Sequence, residues 1–176
     1  MPAALNIDDF EPFAWVAEFT QPTLEIHELT YRQIVHFSLI WNLFERHACG
    51  RFASIPKIEL SVKSAIAENR IETGQFAEHS AYFRHRAANY GHSIDDYVSA
   101  LNPQDQKTKE ILTGFLNGGS DNLRSEVTGL LVIAYRIRNN LFHGEKEVAY
   151  LHTQVELFRV VNSLLATYLT ATKSAA

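Results

Sequence analysis

Between Tyr135 and Lys146 the chain reads YRIRNNLFHGEK, which packs an arginine pair, two asparagines, a histidine and a glycine around two large apolar residues. An arginine keeps its charge and presents a planar fork of donors, so it suits the oxygens of a phosphate or carboxylate. A histidine exchanges protons near neutral pH and serves as general acid or general base. The same stretch also has a plain structural reading. A helix ends in unsatisfied carbonyls and a negative dipole end, which Arg, His and Asn side chains can satisfy, and Gly144 then turns the chain.

Two features pull against the plain reading. Arg138 follows Ala134 by four residues and Leu131 by seven, so it falls on the apolar stripe of its helix. A charge placed there needs an ion partner, a subunit interface or a ligand to offset its desolvation. Asn139 and Asn140 are also poor choices where helix stability is the sole requirement. Geometry adds a condition: residues five apart on an ideal helix point about 140° apart. Arg138 and His143 act together only if the helix ends or distorts between them, as Asn140 and Gly144 permit, or if a second subunit completes the set.

The elements that must carry these residues follow from periodicity. Residues 1–22 hold three prolines and scattered aromatics and read as an irregular arm, with one short helix around DDFEPFAWVAEF. From residue 23 onward apolar residues recur at helical spacing, and no run alternates as a strand would. Thr23 to Ala48 is apolar on more than one face, through Ile34, Phe37, Ile40, Trp41 and Phe44 on one side and Val35, Leu39 and Leu43 on another. Such a helix is either central or shared with a partner. Ser54, Ser93 and the Ser120–Asn122 stretch offer N-terminal caps, while Gly50, Gly91 and Gly118-Gly119 mark helix ends. The expectation is an all-α, single-domain bundle of five to six helices over residues 23–176, closing on a long C-terminal helix. The coiled-coil-like spacing of that last helix is read as bundle core, with a dimer seam as the alternative.

Composition narrows the function classes. A net charge of −4 and a pI near 6.0 argue against a broad basic nucleic-acid surface, though not against a small basic site. The single cysteine, Cys49, excludes an intrachain disulfide and fits a reducing compartment; it reads as a buried structural thiol. No signal peptide or membrane span is legible, so a cytoplasmic protein is expected. The eight histidines show neither H-E-x-x-H nor paired Cys/His spacing, so no metal site and no cofactor is expected. His36 reads as a hydrogen-bonded core residue. GGS at Gly118–Ser120 lacks the strand and lysine of a phosphate loop and reads as a connection. Arg84 and Arg86 read as a solvated helix face, and Tyr82, Phe83 and Tyr90 as core.

RNNLFH, with Arg138 followed directly by polar Asn139 and then His143 at a helix end in an all-helical chain, resembles the signature of the HEPN superfamily. The Gly144 after the histidine is similar to the Apea-like branch. Arg136 also meets the family's spacing, but Ile137 follows it where a polar residue is usual. The resemblance implies a symmetric homodimer whose two motifs face one cleft, and in many members a metal-independent endoribonuclease in toxin, phage-defence or RNA-processing settings. Other members are binding or scaffold modules for a protein partner or nucleotide. It implies that Arg138, His143 and Asn139 are catalytic, with Arg136 and Asn140 beside them as substrate-binding candidates. It further implies RNA as substrate, and an antitoxin or a nucleotidyltransferase as a possible partner.

Overall fold

The structure is a computed structural model that describes residues 11–19, 28–118, 122–142, 151 and 153–173. Among these residues the chain is all-α, with helices α1 (Pro12–Phe19), α2 (Glu28–Ala48), α3 (Ile55–Ala67), α4 (Ala77–Ala88), α5 (Ile94–Ala100), α6 (Gln106–Leu116), α7 (Leu123–Phe142) and α8 (Val155–Thr172), and no strand. Helix α1 is the short helix expected within the arm, and the seven helices from Glu28 onward exceed the expected five or six because one short segment is a helix in its own right. This is α5, whose seven residues are too few to nucleate alone. A reciprocal capping box starts it: Asp96 N–H donates to Ser93 Oγ at 3.3 Å and Ser93 N–H to Asp96 Oδ2 at 3.0 Å. The boundary expected between arm and bundle, at residues 22 and 23, lies outside the described residues.

The other expected caps divide. Asn122 Oδ1 accepts from Ser125 N–H at 2.8 Å and starts α7. Ser54 does occupy the N-cap position of α3, but its hydroxyl makes no capping bond. Gly50, with φ of +60°, turns the chain after α2.

The core forms where α2 lies along α8 and where α3, α4, α6 and α8 surround α7. Phe37 meets Phe158 with ring centroids 5.6 Å apart, and Phe44 meets Tyr168 at 6.0 Å. The heptad-like residues of the last helix, among them Leu157, Val161, Leu164 and Tyr168, are buried in this seam, so their spacing serves the bundle core. Every residue from Val127 to Ala134 is buried, which makes α7 the central helix.

Gly129 lets α6 and α7 meet closely: a Cβ built there would stand 2.4 Å from Phe115 Cβ. Because the obstacle is next to the Phe115 backbone, relief requires the helices to part. Gly129→Ala is therefore expected to destabilise the protein by about 1–3 kcal/mol despite its better helix propensity. Urea denaturation checks this, and an unchanged or raised midpoint would refute the close crossing.

Two residues correct or sharpen the sequence reading. His36 is exposed and is not a core residue, because α2 turns Phe37, Trp41 and Phe44 inward and His36 outward. Cys49 is buried, and burial first, then the Glu45 charge, pushes its thiol up to about 12. A thiol so held stays protonated and is a poor nucleophile. No described helix is long and apolar enough to cross a membrane.

Candidate functional site

The motif begins on the last turns of α7, where a helix buried on all sides reaches the edge of the bundle. At 100° per residue, Arg136 and Arg138 point about 160° apart. They therefore meet different surroundings, and the deeper of the two is Arg136, which is 5% exposed. Arg138 is only partly buried.

Arg136 Nε donates to Leu101 O at 3.0 Å, and its Nη2 donates to Asn102 O and, at 3.4 Å, to Asn140 Oδ1. Asn140 Nδ2 in turn donates to Ala100 O at 3.1 Å. Both side chains thus close the C-terminal end of α5, where helix carbonyls lack partners and the dipole is negative. Asn102 itself holds a left-handed φ of +53° before Pro103, which presents these carbonyls to α7. The site residues expected to hold substrate, Arg136 and Asn140, are engaged in docking α5 onto α7.

Arg138 and Asn139 form a second group. Arg138 Nη1 donates to Asn139 Oδ1 at 3.3 Å, and the guanidinium carbon stands 5.3 Å from the centre of the Phe142 ring. Arg138 Nε is buried and has no hydrogen-bond partner among the described residues. This is the feature of the motif that packing leaves unexplained, since a buried donor without an acceptor costs about 1–3 kcal/mol. His143 and Gly144 follow immediately and lie outside the described residues.

Asn139 and Tyr135, one turn apart, line an open cleft of about 470 Å³ together with Arg136, Lys107, Gln104 and Ser54. The cleft forms where the first turns of α3 and α6 converge on α7. Asp105 stands in its wall as the N-cap of α6. Bonds from the Thr108 backbone and hydroxyl hold its carboxyl below the ordinary carboxylate range, so it keeps a negative charge there. Lys107 is paired with Glu59. No sequence signal pointed to Lys107 or Gln104, and Ser54 was legible only as a helix cap, because the three come together through helix packing and not through spacing along the chain.

The remaining basic and aromatic candidates are mostly engaged elsewhere. Arg84 Nε donates to Phe115 O at 3.2 Å, tying α4 to the end of α6, so it is not simply a solvated charge. Arg86 lies beside Tyr82 and Tyr97, opposing the upward push of burial on both phenols. Phe83 is core and Tyr82 is partly buried, whereas Tyr90 is exposed and meets the Tyr97 ring at 5.4 Å. Among the described residues no cluster of three or more His, Cys, Asp or Glu is arranged to hold a metal ion.

The chain matches no protein-family model, no curated protein and no solved structure.

Proposed function

We propose that this protein is a metal-independent endoribonuclease of the HEPN kind, working as a homodimer in a toxin, phage-defence or RNA-processing setting. The observation that carries the reading is Arg138. Its guanidinium is steadied by Asn139 and Phe142 at the end of the central helix, one of its buried donors has no protein acceptor among the described residues, and His143 follows four residues after Asn139.

In the proposed reaction a ribose 2′-oxygen attacks the adjacent phosphorus. One histidine takes the 2′-hydroxyl proton, the phosphorane charge builds against Arg138, and the departing 5′-oxygen receives a proton from the His143 of a second copy. Asn139 orients the arginine fork. The products are a 2′,3′-cyclic phosphate and a free 5′-hydroxyl, and no water is consumed in this step.

The alternative is a non-catalytic module that binds a protein partner or a nucleotide. Two observations favour it: Arg136 and Asn140 are occupied with the α5 carbonyls, and Asp105 sets a negative charge in the neighbouring cleft. Single-turnover cleavage of a structured RNA pool in EDTA decides between them. Cleavage by the parent but not by His143→Ala, leaving 2′,3′-cyclic ends, is the expected result. No cleavage by folded parent protein would transfer the motif to the binding module.

A further inference from the structure

The outward face of α2 carries apolar residues that none of the described residues covers. Leu39 is 62% exposed, Leu29 58%, Leu43 47% and Val35 38%. Single exposed leucines are ordinary, but four along one helix form a patch that asks for a partner. The line directly opposite buried Phe37 runs through Glu28, Arg32, Val35, Leu39, Asn42 and Arg46. Its steps alternate between four and three residues, the spacing that keeps one seam facing a neighbouring helix.

We propose that this face of α2 pairs with the same face of a second copy, with the two helices antiparallel about a two-fold axis near position 37. The order of residues along the seam carries the orientation. With the axis there, Val35 of one copy meets Leu39 of the other, Arg32 meets Asn42, and Glu28 meets Arg46. Each pair is complementary, and each falls at the same register. On the flank, Leu29 packs against Leu43 of the second copy, and His36 meets its own counterpart beside the axis. A parallel pairing would instead set Glu28 against Glu28, Arg32 against Arg32 and Arg46 against Arg46, three like-charge contacts. From Glu28 to Arg46 the seam is about 27 Å long at 1.5 Å per residue. An isologous contact of this kind closes on itself and stops at two chains.

This pairing uses none of the motif residues and stands whether or not the protein cuts RNA. The 176-residue chain in sedimentation equilibrium is expected to weigh twice its 20.0 kDa. Leu39→Glu, with circular dichroism and melting temperature like the parent's, is expected to return to a single chain. Under mild oxidation His36→Cys cross-links to a dimer. Arg32→Cys does not, because its two copies stand about 15 Å apart along the axis at the same rise per residue. Buried Cys49 leaves the parent uncross-linked as the control. A monomeric parent overturns the proposal, as does a folded Leu39→Glu that remains dimeric. A dimeric His36→Cys that fails to cross-link, or an Arg32→Cys that links as readily, overturns the antiparallel register and places any dimer contact elsewhere.

Discussion

Arg136→Met is expected to lower the unfolding free energy by about 2–4 kcal/mol, whereas Arg138→Ala, two residues further on, costs about 1 kcal/mol or less. The contrast follows from what each guanidinium touches. Arg136 supplies charged donors to Leu101 O and Asn102 O in a buried setting, and methionine fills similar volume without offering a donor. Leu101 O then stays buried at a helix end with no hydrogen to accept, while Asn102 O keeps only the Gln104 Nε2 donor at 3.0 Å, and part of the desolvation cost is recovered only if α5 lifts away. Loss of the buried charge offsets some of this, which keeps the estimate below the sum of two charge-assisted bonds. Arg138 donates to the neighbouring Asn139 side chain and leaves Nε unpartnered among the described residues, so its removal frees an uncompensated donor. Urea titrations of the two variants provide the check. Equal losses, or a larger loss at Arg138, would show that Arg136 does not anchor α5.

The second large effect concerns rate. If the chain cleaves RNA as proposed, Arg138→Ala slows single-turnover cleavage by about 10²–10³-fold, the range found when one preorganised donor to a developing oxyanion is removed. The melting temperature should stay close to the parent's. Arg138→Lys restores only part of the rate, because an ammonium supplies a point charge where the phosphorane needs two directed bonds. Arg136→Met, measured well below its melting temperature, should retain far more activity than Arg138→Ala. The reverse order would mean that Arg136, six residues before His143 in the intervening count, is the motif arginine.

The motif's surroundings were only partly legible in the sequence. Adjacent spacing established that Arg138, Asn139 and Phe142 share the end of one helix, and their contacts lie within four residues of one another. Which arginine lies deeper was not available from spacing. The stripe through Leu131 and Ala134 pointed to Arg138, yet α7 is buried on every side, so its apolar pattern favours no direction. Helix α5, whose carbonyls come from 34 and 35 residues earlier in the chain, takes up Arg136 instead.

By itself the sequence determined the all-α class, the helix starts at Ser93 and Asn122, and the turn at Gly50, because each depends on neighbours within a turn or two. Tertiary structure decided which face of α2 is core. Both faces are apolar, and only the aromatic contacts with α8 commit Phe37 and Phe44 inward, leaving Val35, Leu39 and His36 outside. Hydrophobic period reports that a residue prefers to leave water; which neighbour receives it is set by the packing of segments far apart in sequence.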